Sequence, residues 1–290
     1  MKIFVTGASG FVGSAVVQEL LRHGHQVVGL ARSEANAVAV AAAGAAVQRG
    51  ALDDLASLRA GAAAADGVIH TAFIHDFANY AAAAEVDRRA IEALGDALAG
   101  SGRPLVVTAG VLRPPAGTLA TEDMAADPGL PRRSEVTALP FAARGVRVSV
   151  VRLPPTVHGD GDHGFVPELI RIARATGVAA YIGDGHNRWP AVHRLDAAQA
   201  FRLAVEQAPA GARVHAVAEE GVATRDIAAV IGRRLGLPIE PRPVTHFGWL
   251  GPFFGLDVPT SSALTRARLG WTPVQPELLA DLDGPHYLPR

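Results

Sequence analysis

Three glycines near the amino end of the chain have a spacing that suits the binding of a phosphate group. In the stretch IFVTGASGFVGS, residues 3–14, an apolar run ends at Gly7, and Gly10 and Gly13 follow. Gly7 permits a turn, Gly10 lets the backbone approach a pyrophosphate, and Gly13 lets a helix pack closely on a strand. The pattern predicts a dinucleotide at a helix N-terminus. Further predicted contacts of this loop are Ser9, Phe11 and Val12.

The residues after the second strand-like run distinguish between NAD(H) and NADP(H). That run, QVVGLA, is followed closely by Arg32 and Ser33. A carboxylate at this place binds the ribose hydroxyls of NAD, whereas a cation and a hydroxyl suit the 2′-phosphate of NADP. Arg32 and Ser33 therefore favour NADP(H), while the adjacent Glu34 keeps NAD(H) open as the alternative.

Two later segments supply the remaining contacts predicted along the first half of the chain. Leu52, in the stretch GALDD, follows the third strand-like run, where an apolar side chain can flank an adenine. Thr71, Ala72 and Phe73 follow the fourth run, where a small residue lets a cofactor ribose lie close.

These candidate residues lie at the ends of strand-like runs that alternate with helix-like segments. The runs are KIFVTG (2–7), QVVGLA (26–31), AAVQRG (45–50), GVIHTA (67–72), PLVVTAG (104–110) and VRVSVVRL (146–153). The helix-like segments lie at 11–23, 34–43, 54–64, 78–100 and 133–144. This rhythm predicts an α/β protein with a doubly wound parallel sheet of the Rossmann type.

The rhythm breaks after residue 153, where Gly, Pro and Asp become frequent. The later elements are predicted as a helix at 165–177, a strand at 213–218 and a helix at 225–235 with Thr224 as N-cap. We therefore expect a dinucleotide-binding domain over 1–153 plus 191–218. A smaller C-terminal substrate-binding lobe takes 154–190 plus 219–290, with the apolar stretch HFGWLGPFFGL (246–256) in its core.

The composition excludes several classes of function. A formal charge of −1 provides no broad field that would attract nucleic acid or an anionic membrane, and the absence of cysteine excludes thiol chemistry. No apolar stretch reaches the roughly 18 residues of a membrane span. His158, Asp160, Asp162 and His163 share one short loop with no helix-spaced partner, so no metal site is predicted. We expect a cytoplasmic protein with a small-molecule substrate.

The chain resembles the short-chain dehydrogenase/reductase superfamily, in its extended or atypical branch, which is related to epimerases and dehydratases. The resemblance rests on TGASGFVG (6–13), ARS (31–33), ALDD (51–54), DGVIHTAF (66–73), VVTAG (106–110), VRLPPTVHG (151–159), WPAVHRLDAAQAF (189–201) and ARLGWTP (267–273). It implies that Pro154 and Pro155 border the nicotinamide and that Thr108 lies near it. It also implies a homodimer, because the segments 78–100 and 133–144 match helices that pair subunits in many relatives.

The chain departs from that superfamily at the residues of the usual acid. Most members use a Ser or Thr at the end of the fifth strand and a Tyr-x-x-x-Lys pair on the next helix. The only lysine here is Lys2, so that spacing does not occur in the sequence. By the resemblance, the Tyr and Lys places fall near Asp127 and Pro131, and the Ser place falls at about Gly110.

Other groups must therefore donate the proton, or none is needed. The candidate donors are Thr108, His158, His75 and Asp76, of which Thr108 and His158 are the predicted catalytic residues. An iminium substrate already carries its proton, so C=N reduction needs no such acid. The resemblance implies that Val157 and His158 face the nicotinamide or the substrate. The full set of predicted substrate contacts is His75, Val111, Val157, His158 and Trp189.

The sequence thus predicts an NADPH-dependent oxidoreductase that transfers a hydride to a small, largely apolar carbonyl or imine compound without a Tyr-Lys pair. One alternative is a catalytically silent NADP(H)-binding sensor or regulator. A second alternative is a nucleotide-sugar epimerase or dehydratase, although that chemistry relies on the missing tyrosine.

Overall fold

A seven-stranded parallel sheet forms the centre of the molecule, as the sequence predicts. The computed structural model describes residues 1–76 and 79–287, so the predicted helix start at residue 78 and the lobe residues 288–290 lie outside the described residues. The sheet strands are β1 (Lys2–Thr6), β2 (Gln26–Ala31), β3 (Ala46–Arg49), β4 (Gly67–His70), β5 (Pro104–Gly110), β6 (Arg147–Leu153) and, named by its place in the chain, β10 (Ala212–His215). Their spatial order is β10-β6-β5-β4-β1-β2-β3, and all six neighbouring pairs are parallel.

Helices cover both faces of this sheet. They include α1 (Phe11–Arg22), α2 (Glu34–Ala42), α3 (Leu55–Ala63), α4 (Tyr80–Leu98), α5 (Ser134–Ala138) and α7 (Arg194–Gln207). Because successive strand residues point to opposite faces, Ile3 and Val5 of β1 pack in one cluster with α1 and α7. Phe4 packs in another cluster with α3 and α4. The doubly wound α/β class is therefore confirmed.

The later part of the chain builds two small sheets and a third hydrophobic cluster. Its strands are β7 (Thr156–His158), β8 (Ala179–Tyr181), β9 (Arg188–His193), β11 (Glu219–Ala223) and β12 (Ile239–Pro241), in the orders β11-β9-β7 and β12-β8. Its helices are α6 (Phe165–Thr176), α8 (Thr224–Leu235), α9 (Gly251–Phe254), α10 (Ala263–Leu269) and α11 (Leu278–Leu282). A 3-10 helix, Val244–Leu250, precedes α9.

The division into two lobes stays a prediction. The third hydrophobic cluster contains Phe247, Leu250 and Phe254, so the apolar stretch 246–256 contributes to a core as predicted. In contrast, β9 runs across the predicted boundary at residue 191, and Trp271 packs in the cluster of α1 and α7 rather than in the third cluster.

Two helix predictions are wrong in detail. The predicted helix at 133–144 divides into α5 and a 3-10 helix, Leu139–Arg144, because Pro140 stands at the junction and cannot donate an α-helical hydrogen bond. Thr224 is the first residue of α8 rather than its N-cap, and its hydroxyl donates to Asn187 Oδ1 at 2.7 Å. Within the described ranges, no helix is long and apolar enough to cross a membrane.

Candidate functional site

The glycine loop lies at the carboxyl edge of the main sheet, where the strand order reverses between β1 and β4. Gly7 has a φ of +71°, and the Gly10 N–H donates to its carbonyl at 2.9 Å. A Cβ on Gly13 would lie 1.9 Å from the Gly7 carbonyl oxygen, so α1 packs against the loop at a distance that only glycine permits. The predicted conformational roles of Gly7 and Gly13 are confirmed, and the crevice is the place where doubly wound sheets bind ligands.

The first turn of α1 is open to a ligand. Gly10 is its N-cap, no side chain accepts from the first N–H groups, and the first turn holds no acidic residue. These N–H groups and the positive end of the helix suit an anion. Phe11 lies below the guanidinium of Arg194, which is 4.8 Å from its ring centroid, while Ser9 and Val12 are half-buried.

At the far side of the loop, Arg32 is exposed beyond the end of β2. No hydrogen bond or ion pair engages Arg32 in residues 1–76 and 79–287. The hydroxyl of Ser33 accepts from Asn36 N–H at 3.2 Å and caps α2. The carboxylate of Glu34, the residue that keeps NAD(H) open, is paired with Arg49. Leu52 is half-buried against the cluster that contains α3.

The segment after β4 presses against the glycine loop. A Cβ on Gly7 would lie 2.8 Å from both Ala72 N and Thr71 Oγ1, and Thr71 donates to the Thr6 carbonyl at 2.7 Å. Phe73 follows, and its ring lies beneath the guanidinium of Arg132, 4.1 Å from its carbon. The structure therefore brings together Thr71, Ala72 and the glycine loop, as the sequence predicts.

The ends of β5 and β6 form the next wall. Thr108 is almost buried, and its hydroxyl donates to the His70 carbonyl at 2.8 Å. Val111 is half-buried and donates its N–H to the Leu153 carbonyl at 2.9 Å. Pro154 is buried and Pro155 half-buried. The Thr108 hydroxyl is engaged in a structural hydrogen bond, which does not support its predicted role as proton donor.

His158 lies in the interior, not in the crevice. Its exposed fraction is 0%, its Nδ1 is 2.7 Å from Asp281 Oδ2, and its Nε2 has no partner within the described part of the chain. The neighbouring ring is that of His193, 5.3 Å away between centroids. The predicted catalytic and substrate contacts of His158 are therefore corrected, since its imidazole is sealed from solvent.

Asp162 and His163, which lie in the loop after β7, contact other parts of the chain. Tyr287 donates its hydroxyl to Asp162 at 2.6 Å, and burial raises the pKa of this carboxyl. His163 lies edge-on to Phe11, with centroids 5.7 Å apart. No group of three or more metal-ligating side chains comes together over residues 1–76 and 79–287.

The remaining predicted substrate contacts divide between surface and core. The side chain of His75 reaches the surface beside Phe73. The pKa of His75 is lowered, first because neighbouring atoms partly desolvate the ring and then because of the charges of Arg132 and His163. Val157 is half-buried. Trp189 is 1% exposed and packs against Phe165 and Phe254 in the third hydrophobic cluster, so its predicted direct contact with a substrate is corrected to a core position.

A buried polar chain that the sequence reasoning missed lies at this edge, on the face of the sheet that α4 covers. Thr6 Oγ1 is 2.7 Å from His70 Nδ1, and His70 Nε2 is 3.1 Å from Asp87 Oδ1. Ser134 donates to the other oxygen of Asp87 at 2.6 Å. Burial alone would raise the pKa of Asp87, but the His70 hydrogen bond and the charges of His70 and Arg132 lower it.

Arg132 is the outer end of this chain. Its Nε donates to Ser134 Oγ at 3.0 Å and its Nη2 donates to the Thr108 carbonyl at 3.2 Å. It stands one residue beyond Pro131, the place that the resemblance implied for the missing lysine. The sequence signals that could have revealed the chain are a histidine ending an apolar strand, GVIH, and a lone aspartate on the apolar face of α4.

The fold and the crevice define an NAD(P)-binding oxidoreductase fold. The chain belongs to the NAD-dependent epimerase/dehydratase family, whose model matches residues 3–94. This confirms the resemblance to the extended short-chain dehydrogenase/reductases. Proteins of this family are NAD(P)-dependent oxidoreductases, epimerases and dehydratases.

Relatives extend the likeness over the whole chain. The uncharacterized protein C2A9.02 of Schizosaccharomyces pombe is 52% identical and covers 99% of this chain and 100% of its own length. The uncharacterized protein YLL056C of Saccharomyces cerevisiae is 45% identical over 97% of this chain and 98% of its own length. A 4-hydroxy-2-methyl-3-oxo-4-farnesyl-3,4-dihydroquinoline-1-oxide ketoreductase from Stigmatella aurantiaca is 28% identical over 73% of this chain and 66% of its own.

Solved structures share the fold at low identity. A double mutant of the dTDP-glucose 4,6-dehydratase of Streptomyces venezuelae, solved with NAD bound, has a TM-score of 0.79 at 20% identity and covers 98% of this chain and 95% of its own. The UDP-glucose 4-epimerase of Thermotoga maritima, solved with UDP-glucose, has a TM-score of 0.77 at 19% identity and covers 98% and 96%.

Proposed function

We propose that this protein is an NADPH-dependent reductase of a small, largely apolar carbonyl or imine compound, and that it works without a Tyr-Lys pair. The observation that carries the proposal is the crevice itself, where an uncapped helix N-terminus and a glycine loop face a fixed guanidinium, Arg132, at the next strand ends. The ketoreductase relative from Stigmatella aurantiaca supports a reduction rather than an epimerisation.

The residues of the crevice fit the cofactor. A Cβ on Gly13 would fill the space between α1 and the loop, and the open N–H groups of α1 match a pyrophosphate. The proposed contacts are Gly7, Ser9, Gly10, Phe11, Val12, Gly13, Arg32, Ser33, Leu52, Thr71, Ala72, Phe73, Thr108, Pro154 and Pro155. When bound, the reduced nicotinamide supplies a hydride with its electron pair.

The preference for NADP(H) rests on charges at the end of β2. Arg32 is exposed and carries its charge toward solvent, whereas the Glu34 carboxylate forms a surface ion pair with Arg49. A 2′-phosphate gains a charge-assisted hydrogen bond from a guanidinium. An unpaired carboxylate, which NAD would use, is not presented by Glu34.

An aromatic surface next to the crevice supports an apolar substrate. Phe165 lies 5.8 Å from Trp249 and 6.0 Å from Phe253 between ring centroids, and Trp249 and Phe253 are 45% and 42% exposed. This patch follows His163, which contacts Phe11 of the glycine loop. We further propose that the later residues form a substrate lobe, that the protein pairs as a homodimer, and that it acts in the cytoplasm.

The cofactor assignment is tested by Arg32→Asp. We expect the ratio of NADPH affinity to NADH affinity to fall by about tenfold or more, because the variant replaces an attractive charge by a repulsive one. Cofactor fluorescence titrations measure both dissociation constants. Arg59→Asp, an exposed arginine on α3, is the control and should leave the ratio unchanged. An unchanged ratio in Arg32→Asp would contradict the NADP(H) preference.

Turnover separates the reductase from its alternatives. A silent sensor would bind NADPH yet oxidise none of it with a panel of ketones and imines. An epimerase or dehydratase, which the structural neighbours favour, would convert a nucleotide sugar without net consumption of cofactor. The proposed reductase consumes one NADPH for each product molecule formed. The loss of absorbance at 340 nm measures this consumption.

A further inference from the structure

We infer that the guanidinium of Arg132 binds the reacting oxygen, and that the substrate is therefore a ketone or aldehyde rather than an imine. The inference rests on the proposed reductase function and narrows it. The juxtaposition that carries it is a fixed guanidinium at the carboxyl ends of β4 and β5, beside the loop that suits the dinucleotide.

The fold determines which end of the crevice Arg132 occupies. The open N-terminus of α1 marks the place for the pyrophosphate, and the end of β2 takes the adenosine side. The strands β4 and β5 lie on the side of β1 opposite to β2, so their ends would hold the nicotinamide half of the dinucleotide. Arg132 contacts both ends, through the Phe73 ring after β4 and the Thr108 carbonyl in β5.

Three contacts hold Arg132 within residues 1–76 and 79–287. Ser134 accepts from Nε, the Thr108 carbonyl accepts from Nη2, and the Phe73 ring supports one face. Nη1 has no acceptor among residues 1–76 and 79–287, and the side chain is partly exposed. A guanidinium whose orientation is already fixed loses little entropy when it binds an oxygen.

The buried chain behind Arg132 explains how its orientation is maintained. Because the Ser134 hydroxyl donates to Asp87, its lone pairs are available to accept from Arg132 Nε. Asp87 is in turn fixed by His70, which is held by Thr6. Ser134 and Asp87 are therefore positioning residues, while Arg132 is the group that meets the substrate.

Charge then selects the substrate class. As a carbonyl is reduced, the carbon gains a hydride and the π electron pair moves to the oxygen, which becomes negative and attracts a guanidinium. The alkoxide takes its proton from water, because arginine retains its own. An iminium is positive in the ground state and would be repelled by Arg132, and it offers no acceptor to Nη1. The reduction of one carbonyl group is balanced by the oxidation of one NADPH.

Binding of a carboxylate probe tests the inference without turnover. Isobutyrate carries an anionic oxygen next to a small apolar group, and its affinity for the NADP⁺ complex can be measured by calorimetry. We expect Arg132→Met to weaken isobutyrate binding at least about tenfold, with NADP⁺ affinity within about threefold of wild type. Arg133→Met is the matched control, since Arg133 is its exposed neighbour on the same loop.

The results of these binding measurements decide whether Arg132 binds the substrate oxygen. The inference is overturned if the wild-type complex binds no isobutyrate, or if Arg132→Met binds it as well as wild type does. It is also overturned if Arg132→Met and Arg132→Lys lose NADP⁺ affinity by the same factor as they lose isobutyrate affinity. Arg132 would then bind the cofactor rather than the substrate. Restoration of isobutyrate binding to Arg132→Met by added methylguanidinium supports it and excludes a folding defect.

Turnover of a matched pair of substrates separates this inference from the proposed function. We expect reduction of cyclopentanone but not of 2-methyl-1-pyrroline, and a fall in kcat of about a hundredfold in Arg132→Met with a smaller change in KM. If the wild type reduces only the imine, the inference fails and the reductase stands. If neither is reduced while isobutyrate binding depends on Arg132, the proposed function fails and the oxygen site stands.

Discussion

Two buried histidine–aspartate pairs lie at different places in this molecule and end in different surroundings. His70 and Asp87 connect the end of β4 to α4, and their polar contacts continue through Ser134 to the partly exposed Arg132. His158 and Asp281 connect β7 to α11, and the second nitrogen of His158 has no partner in the part of the chain that the structure describes.

The difference shows that a buried histidine–aspartate pair does not by itself mark an active site. Both aspartates have a lowered pKa, because their histidine partners outweigh the effect of burial. What distinguishes the first pair is that its contacts reach a charged group in the crevice, whereas the second pair is enclosed by His193 and the carboxyl-terminal residues. Only the first pair is therefore proposed to support substrate binding.

The largest expected effect is that of Asp87→Ala. This change leaves both His70 Nε2 and the Ser134 hydroxyl without their buried acceptor, so we expect the free energy of unfolding to fall by about 3 to 5 kcal/mol. Urea denaturation measures the loss. Asp96→Ala is the control on the same helix, since its exposed pair with Arg144 contributes about 0 to 1 kcal/mol. A small loss for Asp87→Ala would contradict the contrast with a surface pair.

An intermediate effect is expected for Asp281→Ala. It removes one buried hydrogen bond from His158, so the free energy of unfolding should fall by about 1 to 3 kcal/mol. The isobutyrate affinity of the folded protein should stay the same, since this pair does not reach Arg132. A loss of probe affinity would show that the two pairs are coupled.

The contribution of Asp281 to stability should depend on pH. The pKa of Asp281 is lowered in the folded protein, so its contribution to stability is present above the ordinary carboxyl value and is lost as the pH falls through the lowered folded value. The difference between wild type and Asp281→Ala should therefore be full at pH 7 and shrink in strong acid. The free energy of unfolding of wild type and Asp281→Ala, measured at pH 7 and in strong acid, checks the direction of this change.

The smallest effect on stability is expected for Ser134→Ala. One hydroxyl is lost, and the cost should be about 1 kcal/mol. Because Arg132 Nε then has no acceptor, isobutyrate binding should weaken severalfold, more than in Asp281→Ala despite the smaller change in stability. Equal probe affinity in Ser134→Ala and wild type would mean that Thr108 and Phe73 alone fix the guanidinium.

The sequence predicted the parts of the fold that depend on neighbouring residues. Gly7 and Gly13 reveal their roles by spacing, and the apolar runs reveal the strands, because both patterns repeat over a few positions. It missed Arg132 because that site joins Thr6, His70, Asp87 and Ser134, which no short pattern connects. It chose His158 because the family resemblance places this residue against the nicotinamide or the substrate, and the packing of His158 against residues near 281 was not visible.

The two pairs also differ in the length of chain that each closes. His70 and Asp87 are 17 positions apart, whereas His158 and Asp281 are 123 apart. The entropy lost on loop closure grows with the logarithm of length, so the longer loop costs roughly 1.8 kcal/mol more in a flexible chain. The pair that supports Arg132 is thus a local contact that an incomplete chain can already make, while the pair at His158 must wait for almost all of the polypeptide.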